Sequence, residues 1–108
     1  MRALAWGEFR MIEFGGAAKT RPGLILTRDM LLSVVNVVTV APVTRTLRGI
    51  PTQLPVGIEE GLKGPSAVAL DGLQTVRKEQ IGRYLGVLSP ERREALRTAL
   101  LFSLGLDR

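Results

Sequence analysis

The sequence has 108 residues, enough for one domain, and its 45% hydrophobic content can supply a real core. It contains no cysteine and no histidine, which excludes disulfides, thiolate and imidazole metal sites, and the Ser–His and Cys–His nucleophile sets. The net charge of +5 favours a polyanionic or acidic partner, and at 5% aromatic residues the chain has few shelves on which bases could stack. Arginine dominates the basic set, with Lys19, Lys63 and Lys78 the only lysines. Its paired donors suit phosphate, although the bias also reads as a plain preference for Arg over Lys.

The elements follow in chain order. Glu8–Phe14 (EFRMIEF) is short, aromatic-rich and bounded by glycines, and reads as a strand. A Gly-Ala loop leads to Arg21-Pro22 and a buried-type strand over Gly23–Thr27, with Pro22 at its first position. Val34–Val43 is β-branched almost throughout and carries the strongest strand signal; Pro42 is expected to end its ladder or lie at an edge. A loop, TRTLRGIP, precedes a short strand in TQLPV and a turn-rich stretch, GIEEGLKGP. Ser66–Leu70, LQTV and RYLGVL read as three further strands, with Asp71-Gly72 a turn and Arg77–Gln80 a polar turn. The period then changes. Ser89 is an expected N-cap, Pro90 a first-turn proline, and Leu96, Ala99, Leu100, Ser103 and Leu104 share one helical face that ends at Gly105.

This pattern predicts a single domain over residues 1–108, mainly β with a C-terminal helix: a small, partly open barrel closed by that helix. No repeat or low-complexity tract interrupts it. No signal peptide is visible, and the longest uncharged run, Met30–Thr44, is too short to span a membrane, so a soluble, cytoplasmic protein is expected.

With imidazole and thiol absent, the remaining polar set suits charge stabilisation at a phosphate better than acyl transfer. Arg21 and the Thr44-Arg45-Thr46/Arg48 cluster both stand at strand ends, and they open onto one rim if those strands are neighbours. Asp71 can join them. Each also has a plain reading: Arg21 as a solvated residue beside a proline, Thr44 as a turn cap, Arg45 and Arg48 as a solubilising loop, and Asp71-Gly72 as a common turn dipeptide. The scattered carboxylates argue against a metal-dependent nuclease.

The succession Gly7-Glu8, Arg21-Pro22 with its aliphatic strand, VAPVTRTLRGIP, SAVALDGLQTV and GRYLGVLSPERR resembles the MazF/PemK family of toxin endoribonucleases, in the family's order and through nearly the whole chain. The resemblance implies a small SH3-like, CcdB/PemK-like barrel. It matches Arg21 to the family's arginine of an R-P pair, Thr44 to its catalytic threonine, and Asp71 to the acidic residue of its D-Q element. Gly72 replaces the usual glutamine, Ala69 stands where some members carry an arginine, and the loop before Arg21 lacks the longer insert of many relatives; these departures bear on the role of Asp71 and on RNA sequence preference and leave the Arg21–Thr44 pair intact.

The resemblance further implies metal-independent, cofactor-free cleavage of single-stranded RNA by attack of the ribose 2′-OH. The products are a 2′,3′-cyclic phosphate and a 5′-OH. Arg21 would stabilise the phosphorane and Thr44 would bind the phosphate or 2′-OH. Asp71, Glu13 or water are candidate proton acceptors, and Lys19, Arg45, Thr46 and Arg48 candidate RNA contacts. A homodimer and a cognate antitoxin are implied as well. The rivals are a CcdB-type toxin that binds DNA gyrase and cuts nothing, against which the Trp-free end FSLGLDR counts, and a non-catalytic nucleic-acid-binding barrel.

Overall fold

A computed structural model describes residues 3–16 and 19–108. The strands are β1 (Glu8–Gly15), β2 (Lys19–Ile25), β3 (Val37–Thr44), β4 (Gln53–Val56), β5 (Ser66–Ala69), β6 (Gln74–Arg77) and β7 (Ile81–Val87). Helix α1 (Asp29–Leu32) lies between β2 and β3, and α2 (Arg93–Ser103) follows β7. All pairings are antiparallel, in the order β4–β5–β3–β2–β1–β7, with β6 also on β3. The expected fold class is therefore the one observed: a mainly β half-barrel with a C-terminal helix. No helix among the described residues is long and apolar enough to cross a membrane.

β3 is the hub. One edge pairs with β6 through Val37–Val40 and then with β5 through Val43 and Thr44; the other pairs with β2 through Val40–Pro42. Its burial alternates over Val38 and Val40 and then changes phase to Ala41 and Val43, so each half of the strand feeds a different cluster. Val38 and Val40 join Ile12, Ile25, Leu32, Val76 and Ile81 in one apolar cluster. Ala41 and Val43 join Phe9, Leu24, Leu54, Val68 and the α2 residues Leu96 and Ala99 in the other.

Several boundaries differ from the sequence reading, each for a reason that lies in a neighbouring element. β2 begins at Lys19, so Pro22 sits inside the strand rather than at its start. Pro22 pairs with Met11 of β1, whereas the β2–β3 ladder stops one residue later, at Gly23 and Pro42. Its missing N–H therefore falls on a free edge, where proline is tolerated. Pro42 occupies the gap on β3 between the β6 ladder, which ends at Val40, and the β5 ladder, which starts at Val43. That is the interruption expected of it.

β3 starts at Val37, not Val34, because the chain must reverse between antiparallel neighbours; residues 28–36 make that reversal, and Val34 is exposed. Of the glycine–alanine loop, Ala17 and Ala18 lie outside the described residues; Gly15 and Lys19 on either side pair with each other. The C-terminal helix enters through a 3-10 turn, Pro90–Arg92, and the Ser89 hydroxyl caps neither. Gly105, at φ 72°, terminates the helix as expected. Leu104, read as part of the buried stripe, is exposed because α2 has ended at Ser103.

Candidate active site

Arg21 and Thr44 line one cleft, which opens where β2 and β3 cease to pair. The β2–β3 pairs are Ile25–Val40, Leu24–Ala41 and Gly23–Pro42, so Arg21 and Thr44 each stand two residues beyond the last pair. Hydrogen-bonded pairing ends at Gly23, so the strands part there and open a cleft of about 700 Å³. Met11, Pro22 and Val43, from three adjacent strands, form its apolar floor, while Arg21, Thr44 and Arg45 stand on its rim. The Thr44 hydroxyl accepts the Thr46 N–H at 3.0 Å, so its own proton remains to be donated.

The opposite wall is Gly61, Leu62 and Lys63, with Ser66 at the start of β5. A buried carboxylate fixes that wall. Glu60 ends the 3-10 turn Ile58–Glu60 and is wholly buried. It accepts the Gly57 N–H at 2.9 Å, the Arg92 Nε–H at 2.9 Å and the Ser89 hydroxyl. Arg92 also donates to the Pro55 carbonyl at 2.8 Å, tying β4 to the entry of α2. Ser89 thus spends its hydroxyl on Glu60 rather than on its own helix.

Burial acts to raise the Glu60 pKa. Hydrogen bonds from Ser89, Gly57 and Arg92, together with the Arg92 charge, outweigh it and hold the carboxyl below its ordinary value. A depressed folded-state pKa contributes stability that is fully present above the unfolded value, about 4.3, and is lost as pH falls from there through the folded value. The melting-temperature gap between wild type and Glu60→Gln is therefore expected to be widest near neutral pH. It should shrink steadily below about pH 4, which thermal melts across a pH series will check.

Two glycines let this wall approach β7. A Cβ on Gly61 would lie 2.0 Å from the Leu85 carbonyl oxygen, and one on Gly86 would lie 2.2 Å from that of Glu60. β7 completes the cleft with Arg83 and Leu85. Both fall at irregularities in its pairing with β1. Phe9 pairs with Gly86 and Arg10 with Tyr84, leaving Leu85 over; Arg10–Tyr84 and Ile12–Ile81 then set Gly82 and Arg83 against Met11 alone. Bulges of this kind re-aim side chains. Behind them lies buried Arg10, whose guanidinium donates to Glu8 Oε1 at 3.0 Å and to the Gly82 carbonyl at 2.9 Å.

Among the described residues the cleft thus carries four cationic side chains, Arg21, Arg45, Lys63 and Arg83, and no carboxylate. Of the residues singled out from sequence, Arg21, Thr44, Arg45 and Thr46 line it together. Lys19, Arg48, Asp71 and Glu13 do not. Lys19 sits at the exposed start of β2 with φ 52°, and the Arg48 N–H donates to Gln53 Oε1 at 2.8 Å in the loop before β4. Asp71 is exposed in the 3-10 turn Leu70–Gly72, and Glu13 is exposed on β1. Lys63 and Arg83 were legible only as charge, since what aims them is a loop held by Glu60 and a pair of bulges. No three carboxylates cluster among the described residues in a way that could hold a metal ion.

Comparison with known proteins gives this arrangement its relatives. Residues 6–104 match the family described as PemK-like, MazF-like toxin of type II toxin–antitoxin system. The chain is 40% identical over 98 residues to Endoribonuclease MazF3 of Mycobacterium tuberculosis, covering 91% of this chain and 95% of that protein. Among solved structures it superposes on the Mycobacterium tuberculosis toxin MazF-mt6 with a TM-score of 0.87 and 37% identity, covering 94% of this chain and 99% of that one. An endoribonuclease in complex with its cognate antitoxin from a mycobacterial species gives a TM-score of 0.85 at 30% identity, covering 96% and 97% of the two chains. A half-barrel whose parted strands place Arg21 and Thr44 in one cleft, matched to one family over nearly its whole length, belongs to the PemK-like, MazF-like toxins of type II toxin–antitoxin systems.

Proposed function

We propose that the chain is a toxin endoribonuclease that cuts single-stranded RNA by internal attack of the ribose 2′-OH, without a metal ion, leaving a 2′,3′-cyclic phosphate and a 5′-OH. The observation that carries this reading is the Arg21–Thr44 juxtaposition in a cationic cleft that no carboxylate lines, in a relative of proteins named endoribonucleases. The nucleophile comes from the substrate, so the protein has to align it and stabilise charge. Arg21 offers parallel donors to the non-bridging oxygens of the phosphorane. Its pKa, above about 12, makes it an electrostatic stabiliser before a proton donor. Thr44 donates its remaining proton to the phosphate or holds the 2′-OH in line.

Water takes the 2′-OH proton, because Asp71 and Glu13 stand off the cleft. Asp71→Asn and Glu13→Gln are accordingly expected to keep cleavage within about threefold of wild type, a difference of under 1 kcal/mol in the barrier; single-turnover assays on a mapped site will check both. Arg45 and Lys63 hold neighbouring phosphates, giving a binding constant that falls steeply with salt. The enzyme acts in the cytoplasm as a homodimer, and an acidic, apolar segment of a cognate antitoxin occupies the same cleft, whose apolar floor and cationic rim suit such a segment. The direct test incubates purified protein with a long single-stranded RNA in EDTA. Discrete cuts support the reading; intact RNA across varied sequences sinks it in favour of gyrase binding or of a non-catalytic barrel.

A further inference from the structure

We infer that Ser89 and Arg92, which stand outside the cleft at the entry to α2, are positioning residues for RNA binding: through buried Glu60 they hold the cleft wall where Lys63 meets a phosphate. This deepens the ribonuclease reading of the same cleft and rests on it. Lys63 lies midway between Glu60 and Ser66, in a stretch that is neither helix nor strand. The far end of that stretch is pinned at Ser66, where β5 begins and pairs with Val56 of β4. The near end hangs on Glu60.

Glu60 is built as a clamp. Its Oε1 accepts the Gly57 N–H at 2.9 Å, and its Oε2 accepts the Arg92 Nε–H at 2.9 Å and the Ser89 hydroxyl. Both oxygens are taken and the residue is wholly buried, so it cannot touch RNA. Any effect it has on RNA passes through the chain it holds. Leu62 is buried among apolar side chains, which fixes the depth of the wall but not its direction, because apolar contact is non-directional. Direction comes from the Glu60 hydrogen bonds.

Arg92 ties the clamp to the body of the domain. It donates to the Pro55 carbonyl at 2.8 Å, and its Nη2 lies 3.6 Å from Glu59 Oε2. Paired with two carboxylates, it serves as a strut rather than as a cation for RNA. The wall it supports closes on the opposite rim: a Cβ on Gly64 would lie 3.9 Å from Arg45 Nη2. The spacing of Lys63 and Arg45, the two phosphate contacts, therefore follows the wall.

The test measures single-turnover cleavage of one mapped RNA site by the full-length protein, over a range of RNA and salt concentrations and well below each variant's melting temperature. Lys63→Ala should raise the half-saturating RNA concentration about fivefold at about 0.1 M salt and flatten its log–log salt slope by about 0.7, the share of one phosphate contact. Ser89→Ala changes no charge, yet it should do the same, with the maximal rate within about twofold of wild type. Joining the two substitutions should add nothing more, since both remove one contact. Ser89→Thr, which keeps the hydroxyl, should restore wild-type binding. Glu60→Gln supplies a test of sign: removing a negative charge near a cationic cleft tightens RNA binding by Coulomb attraction alone, whereas a loosened wall weakens it. If Ser89→Ala does not fold, Arg92→Lys, which keeps the charge and loses the fork, is read in its place. Wild-type binding by the Ser89→Ala protein, additive losses in the double variant, or tighter binding by Glu60→Gln overturns the inference and leaves the ribonuclease reading standing. A wild-type protein that cuts no RNA overturns both.

Discussion

Arg21→Ala and Thr44→Ala are each expected to lower RNA cleavage by about 10² to 10³-fold, the usual cost of losing one preorganised donor to a transition-state oxyanion. Neither change should move the melting temperature by more than a few degrees. Arg21 is only half-buried, while Thr44 loses a single exposed hydrogen bond from the Thr46 amide. The conservative variants separate chemistry from bulk. Thr44→Ser keeps the hydroxyl and should stay near wild type, whereas Arg21→Lys keeps the charge but not the parallel donors and should fall between wild type and Arg21→Ala. Single-turnover rates on one mapped RNA site, beside thermal melts of the same preparations, make the measurement. Full cleavage by both alanine variants would remove the pair from the mechanism.

Beside Gly61→Ala on the other side of the same contact, Gly86→Ala is expected to be among the most damaging single methyls in the domain. Its Cβ would stand 2.2 Å from the Glu60 carbonyl oxygen, a backbone atom that cannot swing aside as a side-chain end can. Relief requires the Ile58–Glu60 turn to move off β7. That movement strains a wholly buried carboxylate together with its bonds to Ser89 and Arg92. A loss of about 3 kcal/mol follows from overpacking of this kind, roughly 12 °C in melting temperature for a domain of this size. Cleavage should fail with it even where the protein stays folded, because Gly61–Lys63 would no longer wall the cleft. Calorimetry and an assay well below the lowered melting temperature separate the two effects.

Most of the frame was legible because it rests on local chemistry. Apolar, β-branched or aromatic runs marked the strands, most strongly β1 and β3, and Ser89-Pro90 through Gly105 marked the last helix. That Arg21 and Thr44 share a cleft was legible too, since residues at the start of one strand and the end of its antiparallel neighbour open onto one rim. What escaped depends on distant partners. Pro22 reads as a strand start until the β1–β2 ladder is seen to run on past it to Lys19. Glu60 reads as a solvated turn residue until Ser89 and Arg92, some thirty positions later, close over it. Arg10 looks like one more surface cation, yet it is buried against Glu8 and the Gly82 carbonyl. Arg83 and Lys63 carry no local signal, because bulges arise from a register between two strands.

The central claim is that the RNA's own 2′-OH is the nucleophile and that the Arg21–Thr44 cleft only aligns it and stabilises the charge. The most direct measurement places one 2′-deoxynucleotide on the 5′ side of a mapped cut in an otherwise unmodified RNA, with EDTA present throughout. Cleavage at that bond should disappear, neighbouring sites should cut as before, and the unmodified RNA should yield a 2′,3′-cyclic phosphate at the new end. Undiminished cleavage at the deoxy position would contradict the account, because an attacking group other than the ribose hydroxyl would then have to be found in a cleft that no carboxylate lines.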